Sequence, residues 1–319
     1  MKTHKGIVLV PSDFKGVDWL EKMKAAGLDT LGLHSGGGPA HNVYEKLEFM
    51  GDDAFRAKMA SAGLDWEYEL HASDMLIDHS LVNEKPDLFP KNVRKREVIA
   101  NGNWCISSDE AQRMIRENAR EMTRRLPSST KRYFYWGADS ISEGWCHCPK
   151  CQSMTAADQA LLTANIIAEA LQDVVPGAQV AFLAYHSTME VPETVKPSEH
   201  VFLEFAPFFR CDFHAITDNS CAENRRHRRI LEGLLELFPA ERTHILEYWL
   251  DSSHYGYTCP TPQKPVFIPS VVEEDVRYYT SLGIRSITTF GVRMDGEYFL
   301  LYGDRELFQY GEILNKYLG

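Results

Sequence analysis

The chain has 319 residues, 44% of them hydrophobic and 25% charged, the composition of a globular protein with room for one large domain or two ordinary ones. Its formal net charge of −11 argues against phosphate backbones and anionic membranes as partners. No run approaches the ~20 apolar residues of a membrane span. The opening MKTHKGIVLVPSDF lacks the long apolar region and cleavage site of a leader, so a cytoplasmic location is expected. Seven cysteines in such a compartment are thiols or metal ligands and not a disulfide framework.

Short apolar runs alternate with amphipathic stretches along the whole chain. Strands are expected over 5–13, 28–37, 64–73, 131–139, 178–187, 200–207, 243–251 and 283–292. Helices are expected over 17–27, 43–62, 107–126, 155–174, 222–238, 270–282 and 297–317, several closing on glycine or opening on a capping serine or threonine. A long excursion separates strand three from its helix. Strict alternation implies a parallel sheet with helical crossovers, and eight units in one chain fit a single (β/α)8 barrel over residues 1–319 better than an open sheet. The glycine-rich SGGGPAHN at 35–42 lacks the spacing of a dinucleotide loop and is read as a connection. No organic cofactor is expected.

In such a barrel the chemistry sits where strands end. The polar strand-end residues are Ser12 and Asp13, His34 and Ser35, Glu69 and His71, Asp139, Tyr185 and His186, Glu204, Glu247 with Trp249 and Asp251, and Arg293. Period-2 alternation puts Glu67, Glu69 and His71 on one face. It likewise groups Tyr133, Tyr135, Gly137 and Asp139, and Glu247, Trp249 and Asp251, with these sets expected to face the lumen. Convergent carboxylates beside aromatic rings are what glycoside cleavage needs: one acid protonates the leaving oxygen and a second carboxylate attacks or activates water. Asp139 and Glu247 are the expected pair, facing one cavity. His34, Glu69, His71, Tyr185, Glu204, Arg210, Trp249 and Arg293 are expected to bind substrate. The competing reading of any one acid is an ion pair with Arg210, Arg293 or a lysine.

The loop after strand four reads WGADSISEGWCHCPKCQ. Cys146, Cys148 and Cys151 can fill three corners of a tetrahedral zinc site. Cys211, His214, Cys221 or His147 would complete it, and Cys211 is assigned. A structural zinc would brace the loop that carries Asp139. A disulfide or three free thiols are the alternatives.

The blocks YELHASDML, PDLFPKN, GNWCISSDEAQRMI, WGADSISEGWCHCPKC, VAFLAYHSTMEVP and FFRCDFHAITDNSC resemble successive blocks of the domain of unknown function 4838 family. Its members are bacterial proteins held to act on polysaccharides and similar to hexosaminidase-like TIM-barrel glycosidases. The resemblance implies a (β/α)8 fold and a carbohydrate substrate, here a short oligosaccharide. Hexosaminidase-like barrels carry an Asp-Glu pair after strand four; in this chain Ser140 follows Asp139, and the nearest glutamate is Glu143. The function expected is glycoside hydrolysis. A metal-dependent sugar isomerase or epimerase and a non-catalytic carbohydrate-binding barrel are the alternatives. Oligomeric state is not legible.

Overall fold

The computed structural model describes residues 2–36, 52–94, 97–139, 144–253 and 259–319. Eight strands, β1 (His4–Leu9), β2 (Thr30–His34), β3 (Asp65–His71), β4 (Arg132–Trp136), β5 (Gln179–Ala184), β6 (Val201–Phe205), β7 (Thr243–Glu247) and β8 (Ser286–Phe290), follow one another around a closed barrel. All eight run parallel, with helices as crossovers, so the fold is a (β/α)8 barrel. Each strand falls where it is expected and is shorter, because pairing ends once the chain leaves the ring for its βα loop.

Among the described residues the helices are α1 (Trp19–Ala26), α2 (Asp53–Ala62), α3 (Ser73–Leu76), α4 (Asp109–Arg125), α5 (Ala156–Leu171), α6 (Ala222–Leu235), α7 (Pro269–Ser281), α8 (Gly296–Tyr302) and α9 (Arg305–Leu318). Local chemistry sets their ends. Asp18, Asp52 and Ser108 accept from N3 backbone N–H groups, Thr155 and Asp158 form a reciprocal capping box, and Gly27 and Gly63 close α1 and α2 in the left-handed region. The single helix expected over 297–317 is broken at Gly303, whose φ of 72° ends α8. The expected helix over 43–62 is described only from Asp53, and most of the glycine-rich loop lies outside the described residues. No helix among the described residues is long and apolar enough to cross a membrane.

The chain divides into two compact units. The first holds residues 1–34, 52–66 and 204–319. Its strands register Ile7 against Leu31 and Glu247 against Thr289. His4 Nδ1 lies 3.2 Å from Thr30 Oγ1, and His244 lies between Ser286 and Thr288 at 2.7 and 3.0 Å, so the lower strand face is polar and paired. A Cβ at Gly6 would stand 2.3 Å from the Thr30 carbonyl oxygen, which explains glycine there. The second unit holds 35–51 and 67–203. Its strands register Glu69 with Phe134 and His71 with Trp136. Arg132 donates to both oxygens of buried Glu67 at 2.7 Å, with Phe134 and Phe202 each 5.3 Å from the guanidinium. Tyr135 turns the other way, its hydroxyl 2.9 Å from Thr123 Oγ1 on α4. The even residues of β4 therefore share the face of Glu67 and His71, and Tyr133 and Tyr135 face the helix layer, opposite to the expected phase.

Candidate active site and cysteine centre

β3 places Glu69, buried, and His71 on one face, and β4 ends at Trp136, which meets His71 edge-on with centroids 5.1 Å apart. Asp139 does not arrive by strand alternation, because β4 stops three residues earlier and the chain turns through Gly137 and Ala138. There its carboxylate accepts from the Tyr185 hydroxyl at 3.3 Å and stands 3.9 Å from His71 Nε2. His186 follows Tyr185 with ring centroids 3.8 Å apart. The Asp139 side chain keeps 24% of its surface exposed and His71 11%.

The His71 tautomer follows from its partners. Nδ1 lies 2.8 Å from the Gly137 carbonyl oxygen, an acceptor only, so Nδ1 carries the hydrogen. Burial lowers the His71 pKa below its ordinary value, and the nearby Asp139 charge opposes the shift without reversing it. The ring is neutral at pH 7, and Nε2 presents a lone pair toward the carboxylate. Burial also lowers His186, with the same opposition from Asp139. A cavity lined by His71, Trp136, Gly137, Trp145 and Tyr185 has a volume of about 40 Å³. That accommodates a single water.

The other expected carboxylate does not reach a mouth. Glu247 accepts from Arg210 Nε at 3.0 Å and from the Tyr279 hydroxyl at 2.6 Å, and Arg210 donates through Nη2 to Asp275 at 2.6 Å. Tyr279 and Asp275 lie on α7, so Glu247 points into the strand–helix layer. The side chains of Arg210, Glu247 and Asp275 are 1%, 2% and 0% exposed. Despite burial, Asp275 and Glu247 keep Arg210 charged and its pKa above the ordinary value. The expected pairing of Glu247 with Asp139 and the expected sugar contact of Arg210 are therefore corrected: both residues serve a sealed ion network. Trp249 is corrected likewise. It is buried with its ring 5.9 Å from Tyr310 of α9. Just past β7, Tyr248 stacks on Phe290 at 5.3 Å and meets Phe208 at 4.9 Å.

His34 packs edge-on against Phe290 at 5.4 Å, which places it beside these rings. Glu204 is buried on β6. Arg293, at φ 67°, gives its side chain to the carbonyls of Cys259 and Pro260 at 2.7 and 3.2 Å and its backbone N–H to Asp13 at 2.7 Å. That is work in holding loops together. Burial pushes the enclosed Asp13 carboxyl up to about 7. Glu143 lies outside the described residues.

Cys105, Cys146, Cys148 and Cys151 bring four sulfurs within 4.8 Å of one another. Cys105 Sγ stands 3.7 Å from Cys148 Sγ and 3.9 Å from Cys151 Sγ. Thiolates on a tetrahedral zinc, with Zn–S about 2.3 Å, are separated by about 3.8 Å, so the group could hold a metal ion such as zinc. The Cys148 backbone N–H donates to Cys146 Sγ at 3.4 Å, and Ser107 Oγ lies 3.0 Å from Cys151 Sγ. Hydrogen bonds from Cys105 and Cys146, then Ser107, hold the Cys151 thiol far below its ordinary pKa. The assignment of Cys211 as fourth ligand is corrected to Cys105, the cysteine of GNWCISS, whose distance along the chain hid it. Cys211 groups with His214 and Cys221.

Asn103 ties the centre to the candidate acid. Its backbone N–H and Nδ2 donate to the Gly144 carbonyl at 2.8 and 3.0 Å, and its Oδ1 accepts from the Ala138 N–H at 2.7 Å. Cys105 and Cys146 each lie two residues beyond these contacts, and Asp139 follows Ala138. A Cβ at Gly137 would meet Asn103 Oδ1 at 2.4 Å, so this approach requires glycine.

The fold is a (β/α)8 barrel that resembles those of glycoside hydrolases. Residues 19–299 match the family described as Domain of unknown function (DUF4838), and the chain belongs to that family. No curated protein sequence matches the chain. Among solved structures it is similar to the chitinase RmChi1 from Rhizomucor miehei, at TM-score 0.58 and 10% identity over 98% of this chain and 100% of that one. Gan42B, a GH42 β-galactosidase from G. stearothermophilus, matches at TM-score 0.57 and 13% identity over 98% of this chain. AgaB, a GH36 α-galactosidase from Geobacillus stearothermophilus, matches at 0.52 and 10% over 99%. This chain spans 57% of the β-galactosidase and 41% of the α-galactosidase. At these identities the likeness is one of fold.

Proposed function

We propose that the protein hydrolyses a glycosidic bond of a small carbohydrate, with Asp139 as the group that exchanges a proton with the glycosidic oxygen. The observation that carries this reading is the half-open Asp139 carboxylate, held by Tyr185 opposite the neutral Nε2 of His71. In the forward step the Asp139 carboxyl gives its proton to the leaving oxygen, the anomeric C–O bond breaks, and water supplies the hydroxyl to the sugar while its remaining proton restores the Asp139 carboxyl. His71 and Tyr185 orient the carboxyl and bind sugar hydroxyls, and Trp136 lies under His71. The second carboxylate is sought on the same strand face, where Glu69 lies two residues before His71. The fold likeness to a chitinase and to galactosidases supports a sugar ligand. The four-cysteine centre takes a structural zinc that braces the Asp139 loop through Asn103. A metal-dependent isomerase is disfavoured, since the metal-capable groups among the described residues contain thiolates, which suit zinc better than the hard ions of such barrels.

A panel of aryl glycosides, with galactosides and N-acetylglucosaminides among them, tests the proposal. Turnover on at least one member is expected, and it should vanish in Asp139→Asn. Equal turnover in that variant removes Asp139 from the chemistry. Sugar binding without turnover on any member makes the barrel a carbohydrate-binding protein.

A further inference from the structure

We propose that Cys211, His214 and Cys221 form a second divalent-metal site, in which two thiolates and one imidazole hold zinc and the fourth position is open to water. The three ligand atoms lie within 4.8 Å of one another. Cys211 Sγ is 3.2 Å from His214 Nδ1, against about 3.5 Å for sulfur and nitrogen sharing a tetrahedral zinc. Cys221 comes from further along the chain, at the N-cap of α6. All three cysteine and histidine donors belong to the first compact unit.

The backbone is built to present these donors. Buried Asn224 of α6 accepts from the Cys211 N–H at 2.8 Å and donates to the carbonyls of Cys211, His214 and Ala215 at 3.0, 2.7 and 3.2 Å. Arg210 reaches the same loop, its Nη1 donating to the carbonyls of Cys211 and His214 at 3.4 and 3.3 Å. Asp275 Oδ1 accepts from the Ile216 N–H at 2.6 Å, just past the loop. The sealed Glu247–Arg210–Asp275 network thus acquires a purpose: it is the floor on which the loop from Cys211 to Ala215 is held in one conformation. A free surface loop has no need of a buried asparagine making four hydrogen bonds and an arginine held by two carboxylates. Positioning of ligands ahead of the ion does need that rigidity. The donor set is borderline-soft, which selects zinc over magnesium or calcium. His214 is exposed and both cysteines are half-buried, so the fourth position faces solvent, as in zinc sites with three protein ligands.

The test is zinc content of the full chain after equilibration with excess Zn²⁺ and removal of unbound ion, in wild type, His214→Ala and Cys221→Ser. His214 is exposed, so its variant should keep the wild-type circular dichroism. We expect each variant to hold one equivalent fewer than wild type, whatever the four-cysteine centre contributes. With Co²⁺ as probe, the lost equivalent should carry the spectrum of a two-thiolate site. Added imidazole should shift the wild-type Co²⁺ spectrum and leave that of His214→Ala unchanged. Identical metal content in wild type and both variants overturns the proposal. So does an intact mass 2 Da low with Cys211 and Cys221 joined in one peptide, since a disulfide leaves no thiolates.

Discussion

Two acidic clusters of this barrel contain the same kinds of group and differ in what surrounds them. In the Arg210–Glu247–Asp275–Tyr279 cluster every charge has a partner at 2.6–3.0 Å, and the charged side chains are at most 2% exposed. In the His71–Asp139–Tyr185 cluster the Asp139 carboxylate accepts from Tyr185 at 3.3 Å, lies 3.9 Å from the His71 ring, and has one side that meets solvent. A sealed, saturated carboxylate is a structural part, because its proton affinity has nothing to act on. A carboxylate with an open side can exchange a proton with a substrate. Residue type therefore does not separate the two clusters; exposure of the carboxylate does, 24% for Asp139 against 2% for Glu247.

The largest effect should come from removing the charge in the open cluster. Asp139→Asn is expected to lower turnover on any aryl glycoside the parent cleaves by about 10²–10⁴-fold, the usual worth of general acid–base catalysis. Its melting temperature should stay close to wild type. A variant that melts early instead would place Asp139 in the same class as Glu247.

The sealed cluster should answer the opposite way. Arg210→Met strands two buried carboxylates, at a cost of about 3–5 kcal/mol, read by denaturant titration. Turnover per folded molecule should hold, and a stable but inactive Arg210→Met protein would break the contrast.

The link from the cysteine centre to the open cluster is sharpened by Cys105→Ser. One metal equivalent should be lost from the four-cysteine group, and melting temperature should fall by more than in Asp139→Asn. Turnover should fall too, since Asn103 joins the centre to the Asp139 loop. Unchanged metal content would show that Cys105 is not a ligand.

The smallest effect is in pH dependence. His71 has a folded pKa below its ordinary 6.5, so the unfolded chain binds the proton more readily. The stability this group confers is full above pH 6.5 and is lost as pH falls through the interval below it. His186 and His227 share the sign. Asp13, raised from 3.8 to about 7, acts oppositely: its contribution is full below pH 3.8 and is lost as pH rises toward 7. We expect the loss of melting temperature between pH 7 and pH 5 to be shallower in His71→Asn than in wild type. Parallel curves would mean that His71 titrates normally in the fold.

The sequence by itself determined the eight strands, their alternation with helices and hence the barrel, because strand and helix periodicities are local and repeat eight times. It also determined that Cys146, Cys148 and Cys151 stand together, since a six-residue span leaves them nowhere else to go. His71 was legible as the last residue of its strand, whereas Asp139, expected to end strand four, lies three residues past it. The phase of β7 was decided only in three dimensions. Alternation separates Glu247 and Trp249 from Tyr248 but does not say which set faces inward, and in a barrel strand both faces are buried. What turned Glu247 outward was Arg210 and Tyr279, 37 and 32 residues away along the chain, which the local pattern does not contain. Cys105 joined cysteines 43 and 46 residues away, and Cys211 found His214 and Cys221. The same physics governs each case: a buried charge or a thiol cluster is settled by whichever partners the closed fold brings within about 3–4 Å, and contact at that range depends on the path of the whole chain.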